Sequence, residues 1–332
     1  MTGPLRIGAL GASRIAPMAL IRPARSVDEA EVVAVAARDQ GRAAAYARKH
    51  RIPRVHATYE ALLADADIDA VYVPLPNALH HAWTMRALEA GKHVLCEKPS
   101  AANAREAQEM VDAATSAGRV LVEAFHWRYH AMAERIVELV REGAVGRLVH
   151  VDAAFCIPLP IFSDIRYRRD LAGGALMDVG SYTVSMLRHL AGEEPAVVSA
   201  TCLLRSEGVD RRTDARLKYP SGATASLTAS MWSRTLLKAS VVLRGEAGEI
   251  RALNPIAPQV GWRRLTVRTA SGVRVEKVGG EGTYARQLRA FVSRVRGGDP
   301  LPTEGDDIVR NMAVIDAIYA AAGVDRSTAV DP

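Results

Sequence analysis

The chain has 332 residues, a length typical of two domains, and its 49% hydrophobic and 24% charged residues are those of a folded globular protein. Its longest apolar runs fall far short of the ~20 residues of a membrane span, and a strand-like pattern begins near Leu5 with no room for a secretory signal. Cys96, Cys156 and Cys202 show no paired spacing, which excludes a disulfide framework and a zinc cluster. These features predict a cytoplasmic protein without a membrane partner.

The net charge is +6, from 43 basic and 37 acidic residues. The basic residues are spread along the whole chain without a lysine- or arginine-rich block. This distribution argues against nucleic acid as a partner and is compatible with small anionic ligands.

The first 124 residues alternate apolar strand patterns with helical patterns. The predicted strands are Leu5–Leu10, Val32–Ala37, Ala70–Leu75, His93–Cys96 and Val120–Ala124. The predicted helices between them are Arg42–His50, Tyr59–Ala64, Leu79–Ala90 and Ala104–Ala117. Because uninterrupted apolar strands are typical of sheets covered on both faces, the pattern predicts an α/β Rossmann domain with a doubly wound parallel sheet in residues 1–124.

The second half has a different pattern. Helices are predicted at Ala131–Glu142, Ala175–Ala191, Tyr284–Arg296 and Asp306–Ala322. Three hairpins in a row are predicted around the turns at 220–222, 245–248 and 270–272. We therefore expect a C-terminal α+β domain, residues 125–332, with an open and largely antiparallel sheet. Since an open sheet face often packs against a second copy, a homodimer or homotetramer through that face is expected.

The segment after the first strand reads Gly-Ala-Leu-Gly-Ala-Ser-Arg-Ile-Ala from position 8. A dinucleotide site needs a tight turn and a helix N-terminus that faces the pyrophosphate. Gly11 can supply the turn, and Ser13, Arg14 and Ile15 lead into the helix. Ser13 replaces the usual middle glycine and adds a hydroxyl donor. The alternative is a plain strand–turn–helix without a ligand.

The end of the second strand distinguishes NAD from NADP. An acidic residue there usually accepts hydrogen bonds from the ribose, but Ala37 holds that position and Arg38 follows it. A guanidinium suits a 2′-phosphate, so the sequence predicts NADP (NADPH). In the alternative, Arg38 is a solvated surface residue and Asp39 binds the ribose.

Lys98 lies in the segment Gly-Lys-His-Val-Leu-Cys-Glu-Lys-Pro, just beyond the carboxyl end of a strand, where open α/β sheets bind their ligands. With Pro-Asn-Ala-Leu-His at 76–80, Phe-His-Trp-Arg-Tyr-His at 125–130 and Gly-Gly-Ala-Leu-Met-Asp-Val-Gly-Ser-Tyr at 173–182, the chain resembles the glucose–fructose oxidoreductase, inositol dehydrogenase and MocA (Gfo/Idh/MocA) family. The resemblance implies a Rossmann domain, a second domain with an open sheet, a nicotinamide cofactor, and sugars, polyols or diols as substrates.

In many members of that family, the lysine of the Glu-Lys-Pro motif and a histidine four residues after an aspartate carry the chemistry. Here Tyr182 holds the histidine position, and Asp178 precedes it by four residues. This substitution resembles the branch with glucose–fructose oxidoreductase, dimeric dihydrodiol dehydrogenase and deoxysugar 3-ketoreductases. We expect Tyr182 to be the general acid/base, because a neighbouring ammonium such as that of Lys98 favours a phenolate. The two roles can also be exchanged, and Asp178 either binds a substrate hydroxyl, orients Lys98 or caps its helix.

Further cofactor-binding residues are expected. Asn77 and His80 resemble family positions near the nicotinamide and its ribose, and Glu97 is expected to contact the cofactor ribose. Trp127 and Arg128 cross from one domain to the other and can line the cleft, and Tyr284 can close the site from the far side. Leu75 and Lys98 are expected to contact the cofactor as well. Glu97 can instead fix its loop, and Trp127 with Arg128 can instead be a core and surface pair. His80 and His81 are adjacent, but no third ligand follows at useful spacing, so no metal is expected.

The loop Ile157–Arg169 is expected to form the substrate pocket, with an apolar stretch followed by arginines that suit either solvent or an anionic, nucleotide-linked sugar. The sequence thus predicts an NADP(H)-dependent dehydrogenase or reductase acting on CH–OH groups. The alternative is a non-catalytic NADP(H)-binding sensor of the same fold.

Overall fold

The computed structural model describes residues 3–326 and divides them into two compact units. The first unit comprises residues 3–126 and Tyr284–Val309, and the second comprises Trp127–Thr283 and 310–326. The expected division after residue 124 placed the helix near Tyr284 in the second domain. Its apolar side chains pack instead in the core of the first unit, because one face of the helix is apolar: Ala285, Leu288, Phe291 and Val292. The last expected domain residues, 327–332, lie outside the described part.

Strands and helices alternate in the first part of the chain, and strands dominate the second part. The strands are β1 (Leu5–Leu10), β2 (Ala30–Ala36), β3 (Arg54–His56), β4 (Ala70–Val73), β5 (His93–Cys96), β6 (Leu121–Glu123), β7 (Leu148–Cys156), β8 (Ala196–Ser206), β9 (Val209–Lys218), β10 (Thr224–Ser230), β11 (Lys238–Gly245), β12 (Gly248–Leu253), β13 (Arg264–Thr269) and β14 (Gly272–Glu276). The α-helices are α1 (Arg22–Ala24), α2 (Gln40–His50), α3 (Tyr59–Leu63), α4 (His80–Glu89), α5 (Ala104–Ala117), α6 (Ala131–Arg141), α7 (Ser181–Ala191), α8 (Thr283–Val295) and α9 (Asp306–Ala321). No helix in the range 3–326 is both long enough and apolar enough to span a bilayer.

The first unit contains a six-stranded parallel sheet in the order β3-β2-β1-β4-β5-β6. This confirms the predicted doubly wound Rossmann fold. The strand order reverses between β1 and β4, and in such sheets ligands bind beyond the carboxyl ends of the strands at that point. The residues that follow β1, β4 and β5 are therefore the ones to consider for a site.

The second unit contains an eight-stranded sheet in the order β14-β13-β12-β11-β7-β10-β9-β8. All strand pairs are antiparallel except β7 with β10, which confirms an open and largely antiparallel sheet. The three predicted hairpins are present, but they do not form one continuous meander. The strand β7, which was not among the predicted strands, lies between β10 and β11 and separates them.

The two faces of this second sheet differ in polarity. Val151, Ala153 and their β10 neighbours Ala225 and Leu227 are buried on the face that packs against α7. On the opposite face, hydrogen-bonded polar side chains lie at the centre, with His150 bonded to Thr224 at 2.8 Å and Ser226 donating to Asp152 at 2.7 Å. At one end of the sheet, three apolar side chains are exposed: Leu237 (76%), Leu253 (39%) and Trp262 (90%).

Candidate active site

The turn after β1 is tight and depends on a glycine. Gly11 has φ +111°, a conformation that favours glycine, and its N–H donates to the Ala36 carbonyl at 2.7 Å. A Cβ at this position would also lie 3.2 Å from Cδ2 of Leu75. The Ser13 hydroxyl accepts from the N–H of Ala16 at 3.2 Å, just before a π-helical turn, Pro17–Ile21, that continues into α1. A tight glycine turn therefore leads into a helix N-terminus, as a pyrophosphate site needs.

Two side chains of α2 brace this turn. Arg42 donates to the Ala12 carbonyl at 2.8 Å, and the Tyr46 hydroxyl donates to the Ser13 carbonyl at 3.0 Å. Neither contact was predicted from the sequence, because the residues lie about one helix and one strand apart along the chain. The next two residues of the turn were also predicted to contact the cofactor. Arg14 is exposed, and Ile15 packs against the core.

The end of β2 matches the predicted pattern. Ala37 is buried, and Arg38 after it is exposed. The Asp39 carboxylate accepts from the N–H of Arg42 at 2.7 Å and so caps the N-terminus of α2. Asp39 thus has a structural partner, which weakens the alternative that it binds a ribose.

The Lys98 turn is held at both ends by carboxylates. The hydroxyl of Tyr72 on β4 donates to Glu97 at 2.6 Å, and the N–H of Ser100 donates to the buried Glu123 at 2.8 Å. The Lys98–Pro99 peptide bond is cis. The contact with Tyr72 favours the alternative in which Glu97 fixes its loop.

His80 connects two of the predicted site segments. Its ring nitrogens lie 2.7 Å from the carbonyl oxygen of Leu75 and 2.8 Å from that of Pro99. Burial lowers the pKa of His80 to about 4, the charge of Lys98 acts in the same direction, and the two carbonyls oppose them. A neutral imidazole donates to one carbonyl only. Because the ring lies between the carbonyls of Leu75 and Pro99, His80 connects the Leu75 and Lys98 turns, and its contact with a cofactor stays a prediction. Asn77 begins the short 3-10 turn before it and is half-buried.

Two more ring side chains lie near Lys98 in the first unit. The Tyr284 ring on α8 stacks on His126 with centroids 4.0 Å apart. Burial, followed by the charge of Lys98, lowers the pKa of His126 to about 3, and burial, followed by the charge of Glu97, raises the pKa of Tyr284. One helical turn further, Gln287 is buried, and its Oε1 has no hydrogen-bond partner within residues 3–326.

In the second unit, Tyr182 lies in the first turn of α7. The predicted helix Ala175–Ala191 in fact begins as a π-helical turn over Leu176–Gly180, a feature found frequently at functional sites. The Phe155 ring meets the Tyr182 ring edge-on, with centroids 5.7 Å apart. Asp178 accepts from Nε of Arg166 at 2.9 Å, so a loop arginine fixes its carboxylate.

A buried carboxylate that was not predicted from the sequence anchors this helix. Asp210 accepts from the N–H of Leu176 at 3.0 Å, from the Thr213 hydroxyl at 2.7 Å and from the Tyr319 hydroxyl at 2.7 Å. A Cβ at Gly174 would lie 2.4 Å from the Asp210 oxygen, at a φ of +126°. Only the Gly-Gly pair before the helix signals this close approach in the sequence.

Trp127 and Arg128 also lie in the second unit, where they contact α7. Trp127 is fully buried and its indole N–H donates to Ser185 at 3.3 Å. Arg128 donates to Nδ1 of His189 at 3.0 Å. These contacts favour the core alternative for Trp127, and Arg128 is buried as well. The contact of both residues with a cofactor stays a prediction.

The structure thus distributes the predicted residues over both units. In the first unit, the carboxyl ends of the strands carry Gly11, Ser13, Arg38, Leu75, Asn77, Glu97 and Lys98, and the second unit carries Asp178 and Tyr182. His81 pairs with Glu109 at 2.8 Å. Within residues 3–326, no group of three or more histidine, cysteine, aspartate or glutamate side chains is arranged to hold a metal ion.

Two family models match the chain. The model of the oxidoreductase family with an NAD-binding Rossmann fold matches residues 5–125, and that of the GFO/IDH/MocA C-terminal domain matches residues 133–251.

Named relatives extend over almost the whole chain. D-xylose 1-dehydrogenase (NADP(+)) 2 from Haloferax volcanii is 38% identical over 331 residues, which cover 98% of this chain and 100% of that protein. A dTDP-3,4-didehydro-2,6-dideoxy-alpha-D-glucose 3-reductase from Streptomyces antibioticus is 34% identical over 325 residues, with 96% and 98% covered. The crystal structure of KijD10, a 3-ketoreductase from Actinomadura kijaniata in complex with NADP and TDP-benzene, matches with a TM-score of 0.89 at 30% identity, again with 96% and 98% covered. The chain therefore belongs to the Gfo/Idh/MocA family of oxidoreductases.

Proposed function

We propose that this oxidoreductase uses NADP(H) to interconvert a hydroxyl group of a sugar, polyol or cyclic diol with the corresponding carbonyl. The observation that carries the proposal is the combination of the Gly11 turn with Ala37 and Arg38 at the end of β2, where Asp39 already caps a helix. The named relatives, which reduce or oxidise sugars, support the same reaction class.

The residues at the carboxyl ends of the strands fit the cofactor. The backbone of the Gly11 turn and the following helix N-terminus would hold the pyrophosphate, and Arg38 would hold the 2′-phosphate. When bound, NADP(H) supplies or accepts the hydride. The chain has to provide the rest, which is the binding of the reacting oxygen and the transfer of its proton.

We assign the proton transfer to Tyr182, with Lys98 as the cation that binds the same substrate oxygen and favours the ionised phenol. Asp178, fixed by Arg166, would orient a neighbouring substrate hydroxyl. Tyr284 and Asn77 remain proposed cofactor contacts.

Replacement of Arg38 by alanine tests the cofactor assignment. Loss of a charge-assisted contact of about 2 kcal/mol should raise the KM for NADP roughly 30-fold and leave the KM for NAD almost unchanged. Steady-state kinetics with both cofactors measures this, and Arg48→Ala, at the exposed end of α2, is the matched control. Equal effects on NADP and NAD would contradict the assignment.

A substrate panel tests the reaction itself. Purified protein is titrated with NADPH by fluorescence and then assayed with aldoses, polyols, trans-diols and keto-sugars. We expect turnover that NADP(H) supports better than NAD(H). If the protein binds NADPH but turns over no substrate, and if Tyr182→Phe does not change NADPH binding, the non-catalytic sensor would be favoured.

We also propose that the protein forms a homodimer or homotetramer through the open sheet of the second unit. Leu237, Leu253 and Trp262 are exposed at the same end of that sheet, since the start of β11, the end of β12 and the start of β13 are neighbours there. Sedimentation at micromolar concentration should give a multiple of 35.7 kDa.

Trp262→Lys should weaken this association, whereas Val55→Lys, a similar change at an exposed residue of β3, should not. A wild-type protein that sediments only as a monomer would exclude the oligomer.

A further inference from the structure

The arginines of the loop before the Tyr182 helix are all paired with carboxylates. Arg166 donates to Asp178 at 2.9 Å and to Asp164 at 3.1 Å, so that one guanidinium holds two carboxylates. Arg168 pairs with Asp170, and Arg169 pairs with Glu207 at 2.8 Å. The sequence left open whether these arginines bind an anionic substrate.

In these ion pairs the carboxylates neutralise the positive charge of the loop arginines. Residues 157–178 contain three arginines and three aspartates, and Glu207 adds one more negative charge from outside. Asp178 lies four residues before Tyr182, and the group that it forms with Arg166 and Asp164 contains one positive and two negative charges. A diphosphate or sugar phosphate placed there would be repelled by two carboxylates and would have to displace existing ion pairs.

Most of the other exposed side chains of the loop are apolar. Ile161, Phe162 and Ile165 are 60%, 41% and 47% exposed, and the Phe162 ring lies 5.4 Å from that of Tyr167. Two further cations are close. The Arg205 guanidinium lies over the Phe162 ring at 4.6 Å. Arg211 donates to the Trp232 carbonyl at 2.9 Å and lies near Tyr167, where its charge opposes the rise in pKa that burial causes. Such a surface suits the C–H face of a sugar or carbocyclic ring.

We infer that the substrate is an uncharged, free sugar, polyol or cyclic diol and not a nucleotide-linked or phosphorylated sugar, and that the pairing of Arg166 with Asp164 and Asp178 sets this specificity. The inference rests on the proposed function. The named relatives do not decide it, because one is a D-xylose dehydrogenase and another a dTDP-sugar reductase.

The first experiment compares kcat/KM for free aldoses and trans-diols with that for sugar 6-phosphates and a TDP-sugar. We expect the uncharged compounds to exceed the charged ones at least tenfold, and the opposite order would overturn the inference. A complete absence of turnover would count against the proposed function, so the inference is also tested by binding alone.

The binding experiment measures TDP affinity by calorimetry with NADP⁺ present in excess. We expect no binding of TDP at 1 mM to the wild-type protein, and a Kd below about 100 µM would overturn the inference whether or not turnover is found. Asp164→Asn removes one negative charge beside Arg166 and should bring TDP binding into the measurable range, with a Kd below about 1 mM, while Asp164→Asn/Arg166→Gln should again show no binding. Asp170→Asn, the same change beside Arg168, is the control and should show no binding of TDP at 1 mM.

Discussion

Replacement of Tyr182 by phenylalanine is expected to lower kcat about 10²- to 10⁴-fold, the range that general acid–base catalysis supplies. The substitution removes one oxygen and keeps the ring, so the edge-on contact with Phe155 is preserved. Because the role proposed for the phenol concerns the proton of the reacting hydroxyl and not the cofactor, NADPH affinity should stay the same. Steady-state kinetics together with NADPH fluorescence titration separates the two effects.

Tyr219→Phe is the matched control for this variant. Tyr219 is buried in the same unit, and its hydroxyl donates to the Leu187 carbonyl of α7 at 3.0 Å. Its loss removes a hydrogen bond near the same helix and should lower stability by about 1 kcal/mol with little effect on kcat. A Tyr182→Phe enzyme that keeps more than a tenth of wild-type kcat would contradict the assigned role.

The parallel sheet could be predicted because its central strands are buried on both faces and therefore read as apolar runs. The exception is β3, whose three residues, Arg54, Val55 and His56, are all at least partly exposed and give no apolar signal. The strand β7 was missed for a different reason. Its His150 and Asp152 alternate with apolar residues, as in a strand covered on one face, but their partners on β10 lie more than 70 residues away in the chain, so no hairpin marks the strand.

The candidate site shows the same limit of sequence patterns. Gly11, Arg38 and Lys98 directly follow strands, so their position relative to the sheet could be predicted from the strands themselves. The residues that position these side chains could not be predicted, because each depends on a contact between segments far apart in the chain. Asp210 reaches the helix N-terminus 34 positions away, and no local pattern marks it as a buried anchor. The sequence identified His80, but its contacts with the carbonyls of Leu75 and Pro99 become visible only in the fold.

Replacement of Lys98 by methionine is expected to lower kcat on the order of 10²-fold and to change its pH dependence. Methionine keeps most of the length of the side chain and removes its charge, so the Lys98 turn, held by Glu97, Ser100 and His80, should remain intact. Without the cation, the ionised phenol is no longer favoured, and the pH at which the oxidation rate reaches half its maximum should rise. Lys98→Arg should not restore full activity, because a planar guanidinium differs in shape and reach from an ammonium. Lys49→Met, at an exposed lysine of α2, serves as the control.

The double variant Lys98→Met/Tyr182→Phe decides whether the two residues act together. If the cation serves the phenol, the loss of one makes the other ineffective, and the double variant should be at most about threefold slower than the slower single variant. If each residue acts independently, the two losses in kcat multiply. Multiplied losses, or a Lys98→Met enzyme with the wild-type pH profile, would show that Lys98 binds cofactor or substrate without assisting proton transfer. The proposed pair from the two units would then have to be abandoned.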